Sequence, residues 1–404
     1  MDSFKKLFSY YLIFLSVLII YFLLAVHNST VNNSMAEWVI NYQGGFTRRG
    51  FLGEIVFQIS QLFDFQLRKT FLILQIFIYI FYFYFIYKLF SKIKYNFVFA
   101  LAIFSPLFFI FSLSELEALG RKDILMFLVF ILNFLIYEKF RNININYFYF
   151  LFTFPIVFLT HEIYIIYTTY FLFFFIILEK EFSYKSISKI VFSIIYILIF
   201  LILLTSIDYN QENLNLLCKN LLLKSGEKCG LAPLSMIIDI NSYQNELDWK
   251  TSHIVRYIFI FLIGFSALIF ILFFSKINEK KANVITNKIN LKIIFLISII
   301  PSILPFLTAV DSGRYMSMAY TFPCIFYFGF LRLNRISFDY EKANILISGS
   351  ILKLKKYKIM FLILVCFTWT PKAVYHEDIG SFPLYRTIIK TKNFVEGIKS
   401  LGVN

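Results

Sequence analysis

Apolar residues in this chain come in long unbroken blocks rather than at the spacing of an amphipathic helix. The run from Ile163 to Leu178 is Phe, Ile, Leu and Tyr with two Thr and no charge. Eleven such segments can be marked, at 6–26, 70–90, 96–113, 123–138, 146–160, 163–178, 188–206, 254–275, 293–309, 315–332 and 358–373. Blocks near ~20 residues match the ~30 Å hydrocarbon thickness of a bilayer. Backbone polar groups in lipid must be satisfied within the segment, so each span should be a helix. The pattern predicts an all-α polytopic membrane protein, with about 11 transmembrane helices in a single transmembrane domain, 1–404. The segments at 96–113, 123–138, 146–160 and 163–178 are short, and the last two admit a different division.

Composition agrees with this reading. The chain is 59% hydrophobic and 21% aromatic, with mean hydropathy +0.73, whereas soluble domains run about 45–50% apolar. The first block, from Leu7 to Val26, is longer than a signal-peptide core and no small-residue cleavage site follows it, so it reads as a retained helix.

The net charge of +15 could suggest a nucleic-acid partner. Its distribution says otherwise. With Lys5 and Lys6 placing the N-terminus inside, the segments 1–5, 91–95, 139–145, 179–187, 276–292 and 333–357 fall inside. The segments 27–69, 114–122, 161–162, 207–253, 310–314 and 374–404 fall outside. The inside set with its flanks holds 22 of the 39 basic residues and 7 of the 24 acidic ones, so the outside balances to zero. These are positive-inside anchors, and no nucleic acid is implied. Within the long outside loop 27–69, the stretch from Phe51 to Phe65 is apolar and partly amphipathic and could lie in the membrane interface. No internal or inverted repeat is visible.

Four outside stretches carry the residues capable of chemistry. The first reads EWVINYQGGFTRRGFLGE from Glu37 to Glu54. Gly44 and Gly45 allow a sharp turn or a close approach, and the forks of Arg48 and Arg49 match phosphate oxygens. Two arginines at a helix start can equally contact lipid headgroups. The second reads SELEALGRKD from Ser114 to Asp123. Its Arg121, Lys122 and Asp123 are substrate-binding candidates, or else form a solvated turn of weak ion pairs. Asp123 enters the next helix, where a charge is costly unless used or paired.

The third stretch places His161 and Glu162 between two apolar runs, as a base with its orienting partner or as the wet corner of a helical hairpin. The fourth, AVDSGRYMSM, sets Asp311 and Arg314 at i and i+3, where they could simply pair with each other. All four stretches come from different helix ends and thread to one side of the membrane, which makes them one candidate site. Metal-protease, paired-cysteine metal, phosphate-loop and serine-elbow motifs are absent from the sequence, and no metal or cofactor is implied. Cys324 and Cys366 lie in apolar blocks, while Cys218 and Cys229 share a polar outside loop and could pair there.

The stretch from Gly44 to Glu54, the GRKD turn, the His161–Glu162 corner and the DSGRY turn together resemble bacterial surface-polysaccharide membrane proteins. The similarity is nearest to Wzy-type polymerases of O-antigen or capsule repeat units. That resemblance implies a GT-C-like helical fold in a bacterial inner (cytoplasmic) membrane, a polyprenyl-pyrophosphate-linked glycan as substrate, and metal-independent transfer on the periplasmic side. It gives Arg48, Arg49, Arg121 and Arg314 the role of holding pyrophosphate. The large loop departs from such polymerases: 207–253 offers Lys219, Lys224, Lys228, Lys250 and His253, with arginine appearing only at Arg256 in the next helix.

Glycosyl transfer would need a base for the acceptor hydroxyl. The candidates in order are Glu162 with His161, then Glu37, then Asp311. Two alternatives remain open. One is a GT-C glycosyltransferase adding a single sugar from a polyprenyl-phosphate sugar, for which Glu37 stands in the expected loop. The other is a polysaccharide transporter or flippase. Reporter fusions test the threading on which these readings rest: one placed after Lys94 should report the cytoplasm and one after Gln211 the periplasm, and the reverse pattern would move the candidate site to the wrong side.

Overall fold

The computed structural model describes residues 2–27, 36–179, 183–207, 209–229, 251–278, 290–305, 311–348, 355–373 and 391–392, and the statements below concern these. The threading's assignments for 28–35, 230–250, 279–289, 349–354 and nearly all of 374–404 lie outside the described residues, as do the side chains of Lys250, His253 and Arg256.

The chain is a bundle of helices. In order they are α1 (Asp2–Val26), α2 (Phe51–Leu62), α3 (Leu67–Phe90), α4 (Phe97–Ile103), the short α5 (Phe111–Ser114), α6 (Asp123–Phe140), α7 (Ile143–Thr160), α8 (Tyr164–Leu178) and α9 (Tyr184–Thr205). Then follow α10 (Gln211–Ser225), α11 (Thr251–Phe273), α12 (Leu291–Ile299), α13 (Ser312–Arg332), α14 (Tyr340–Ser348) and α15 (Lys355–Phe367). Among the described residues, four helices are long and apolar enough to cross a membrane: Phe4–Val26, Leu67–Phe90, Ile143–Thr160 and Tyr184–Leu204.

The polar residues between apolar blocks act as helix starts. The side chains of Asn96, Asn142, Ser183 and Asn290 accept backbone N–H groups at the heads of α4, α7, α9 and α12, which satisfies donors that have no partner within the helix. Around 161 the chain does divide into two helices, α7 and α8, packed on each other.

The 96–113 segment differs from the expected single span. Helix α4 stops at Ile103, and a turn through Ser105 and Pro106 precedes α5. Pro106 has no N–H to give and disfavours helix in the residue before it. Apolarity alone did not reveal this break. The freed carbonyls find partners on neighbouring helices: Ala102 accepts from the Tyr320 hydroxyl at 2.8 Å and Leu107 from Ser317 at 2.8 Å. Irregular backbone is tolerated at this depth because protein surrounds it.

Helix α13 is the axis of the bundle. Every residue from Ser312 to Phe330 is buried, among α3, α6, α8, α11 and α12. The two ends of the bundle have different character. At one end Glu138 pairs with Lys92 at 3.3 Å and with Arg332. There too Arg335 reaches the Tyr137 hydroxyl and the Leu178 carbonyl, each at 3.3 Å, and the strands β1 (Ser275–Ile277) and β2 (Ile336–Phe338) pair antiparallel. The opposite end gathers the first loop, the GRKD turn, the His161–Glu162 corner and the head of α13.

Helix α10 also lies at that second end. A capping box at Asn210 starts it and left-handed Gly226 ends it. A disulfide joins Cys218 in α10 to Cys229, with Cα atoms 5.2 Å apart. Thiol labelling of the unreduced, denatured protein should therefore modify only Cys324 and Cys366. Closing a loop this short should add about 2–4 kcal/mol of stability that a reductant removes.

Candidate functional site

Nine ionisable residues from four stretches of sequence meet at the second end of the bundle. Arg314, in the first turn of α13, is the hub. Its Nε and Nη2 donate to the two oxygens of Asp123 at 2.6 and 2.7 Å, and its Nη1 to Asp311 at 2.8 Å. Asp123 opens α6, where the helix dipole favours a carboxylate. The i,i+3 pair expected from sequence is thus one arm of a larger clamp. Arg121 stands 3.8 Å from both Glu37 and Asp311, while its Nε donates to the Glu117 carbonyl at 2.8 Å.

Glu37 is only 1% exposed. It lies 3.4 Å from His161 Nε2, 3.8 Å from Arg121 and 3.9 Å from Arg314, and among the described residues neither of its carboxylate oxygens has a closer polar partner. Burial pushes its carboxyl up, but Arg121, His161 and Arg314 outweigh burial and hold it well below the usual range. The same contest lowers Asp311: burial raises it, and Arg121 and Arg314 prevail.

His161 is 2% exposed and has a divided role. Its Nε2 lies 2.9 Å from Arg314 Nη2 and 3.4 Å from the Glu37 carboxylate. A guanidinium only donates, so Nε2 must accept in the first contact and must carry a proton to satisfy the second. The imidazole therefore serves Arg314 when neutral at Nε2 and Glu37 when protonated there. Its Nδ1 lies 3.6 Å from Glu162.

Glu162 itself is occupied. Arg49 grips it in a fork, with Nε at 2.8 Å from each oxygen and Nη2 at 2.5 Å from one. Burial raises the Glu162 carboxyl, but Arg49 overrides it and lowers it strongly. Arg49 adopts a left-handed backbone, φ 68°, which costs energy for a residue with a side chain. Its carbonyl accepts from buried Lys122 Nζ at 2.7 Å. Neighbouring Arg48 is half-buried and makes no ion pair among the described residues, although its charge helps to lower Glu162.

Supports that the sequence did not reveal surround the cluster. The Asn213 and Asn220 side chains of α10 donate to the Gly44 carbonyl at 2.8 Å and the Gln43 carbonyl at 2.7 Å. A Cβ on Gly44 would sit 2.2 Å from the Asn213 carbonyl oxygen, so this approach requires glycine. Gly120, at φ 75°, is the second such position. Its carbonyl takes Trp38 Nε1 at 2.6 Å and Gln75 at 3.0 Å, while its N–H meets the Tyr79 hydroxyl at 3.1 Å. A glycine just before Arg-Lys-Asp was the one visible signal for that anchor. Of the lysines in the large loop, Lys224 binds Gln43 at 2.7 Å rather than joining the cluster.

Four carboxylates thus face four cations in a closed array: Glu37, Asp123, Glu162 and Asp311 against Arg49, Arg121, Lys122 and Arg314. Between Arg121, Asp123 and Arg314 lies a cavity of about 30 Å³, the share of a single water. Among the described residues no group of three or more His, Cys, Asp or Glu is placed to hold a metal ion. No protein-family model, no curated protein and no solved structure matches the chain.

Lys122 gives a pH test of this geometry. Burial first, then Arg49, pushes its ammonium down to about 8, against the opposing pull of Glu37 and Glu162. An unfolded lysine titrates near ~10.4, so from pH ~8 to ~10.4 the unfolded chain binds a proton that the folded one has lost, and stability must rise with pH in that window. The destabilisation is fully present below pH ~8, and its relief amounts to roughly 3 kcal/mol at ~1.4 kcal/mol per pH unit. Thermal unfolding in detergent should show this rise for the wild type. Lys122→Met should flatten it.

Proposed function

We propose that the protein joins lipid-linked oligosaccharide repeat units into a surface polysaccharide, with polyprenyl pyrophosphate as the leaving group, on the periplasmic face of a bacterial inner membrane. The orientation is that of the positive-inside reading, with about eleven spans in a GT-C-like arrangement. The observation that carries the reading is the convergence of a buried carboxylate and imidazole with arginines from three chain segments, at the end of the bundle opposite the Glu138 cluster.

In this reading the acceptor hydroxyl gives up its proton to a carboxylate as it attacks the anomeric carbon. The departing pyrophosphate gains charge that positioned guanidinium groups stabilise. The geometry favours Glu37 over Glu162 as the base, because Arg49 already takes both oxygens of Glu162 whereas the nearest partner of Glu37, His161, stands 3.4 Å away. A carboxylate held well below its usual range is a weak base. A pyrophosphate arriving at Arg48 would draw Arg121 and Arg314 toward itself. Their pull on Glu37 would weaken, and its basicity would rise when substrate is present.

Glu162 then positions Arg49, and Asp123 and Asp311 position Arg314. Lys122 acts through the Arg49 carbonyl rather than on the substrate. A second reading, transfer of a single sugar from a polyprenyl-phosphate sugar, is favoured by the burial of Glu37 in the first outside loop. A third, an outer gate of a glycan flippase, is favoured by the closed charge array.

Membranes supplied with lipid-linked repeat units separate these readings. A ladder of products supports polymerisation, a single addition supports the second reading, and no transfer by the wild type removes both. Under either transferase reading Glu37→Gln should cost about 10²–10⁴ in rate. Arg48→Lys should cost about 10²–10³, because the charge stays and the fork is lost. Full activity of Glu37→Gln at a normal protein level would overturn the choice of base.

A further inference from the structure

A second cavity lies away from this site and has a different chemistry. It is a cleft of about 650 Å³, within the usual range for a ligand pocket. Its walls are α1, with Phe4 and Tyr11, and α15, with Leu362. Its floor is Ala100 and Phe104, at the point where α4 breaks off. Tyr11 packs edge-on against Phe104, ring centroids 4.8 Å apart. From Phe4 to Tyr11 the wall descends seven residues of helix, or roughly 10 Å, about a third of the ~30 Å hydrocarbon thickness.

The rim is polar and basic. Lys358 lines the mouth, with its Nζ 6.0 Å from the Phe97 ring, and no carboxylate pairs with it among the described residues. Exposed Lys5 and Lys6 follow Phe4 directly in sequence. The cleft opens at the end where Tyr340 caps the Lys94 carbonyl. This is the end opposite the charge array, and the cytoplasmic one in the proposed orientation. Elsewhere the outer faces of α1 and α3 are closed by exposed apolar side chains such as Ile13, Val17, Phe77 and Phe81. Here the broken α4 sets a small residue, Ala100, between two apolar walls, leaving a trough under a cationic rim.

We propose that this cleft is a binding site for an anionic phospholipid of the inner leaflet, with one acyl chain lying over Ala100 and the phosphate held at Lys358. The occupant follows from the match of an apolar trough at membrane depth with unpaired positive charge at headgroup level. A zwitterionic lipid fits the trough equally well and gains less at the rim. The proposal is independent of the glycan chemistry at the other end.

The test uses the full-length protein in vesicles of equal phosphatidylglycerol and phosphatidylcholine with identical chains, followed by gentle detergent extraction and native mass spectrometry. The wild type should retain about one lipid per chain, with phosphatidylglycerol preferred. Lys358→Gln should cut that preference about fivefold, the factor one juxtamembrane lysine contributes toward an anionic surface. Ala100→Trp should fill the trough and abolish retention, and Leu362→Trp fills it from the other wall should the first variant fail to fold. Equal retention of the two lipids by the wild type would overturn the proposal. So would undiminished retention by a folded trough-filling variant. A preference unchanged in Lys358→Gln would overturn the assignment of the headgroup.

Discussion

A guanidinium at the head of a buried helix must be neutralised where it stands, and much of this architecture follows from Arg314. Water is scarce there, so the charge survives only with close counter-charges and filled donors. Asp123 and Asp311 supply them, and His161 takes part of what is left. Each partner sits at a different helix end. Satisfying one residue therefore fixes the relative heights of α6, α8 and α13. Removing one member of such an array typically costs about 3–5 kcal/mol, more than the array as a whole need contribute to stability. That asymmetry is how a charge cluster enforces one arrangement of helices without making the fold unusually stable.

The array also changes how its arginines should be regarded. A guanidinium already clasped by a carboxylate is a poor free site for phosphate, since a ligand must first displace its partner. Arg49 and Arg314 are in that state, whereas Arg48 is not. If the proposed function holds, exchange of partners, rather than simple capture by a positive patch, is the mode of binding that such an array would use.

Much of the helical layout was legible because blocks of Phe, Ile and Leu admit no other structure in lipid. The break in 96–113 was not, because an apolar run gives no sign of where Pro106 will end the helix or which hydroxyls will satisfy its carbonyls. Within the site, the Asp311–Arg314 pair could be read from its i,i+3 spacing. The Arg314–Asp123 and Arg49–Glu162 pairs could not, since they join residues 191 and 113 positions apart. Sequence treated Arg48 and Arg49 as equals. A left-handed backbone at Arg49 separates their roles, and only coordinates reveal it. The support from Asn213 and Asn220 was likewise hidden, because asparagines in a polar loop helix carry no periodic signal.

The distance of 191 residues between Asp123 and Arg314 has a meaning in time as well as in space. Chains emerge from the ribosome at about 5–20 residues per second. The carboxylate at the head of α6 is therefore made roughly 10–40 s before its guanidinium exists. Through that interval Asp123 has the dipole of its own helix but lacks its guanidinium partner. Only the late arrival of α13 supplies it, so the charge array cannot close until most of the chain has been synthesised.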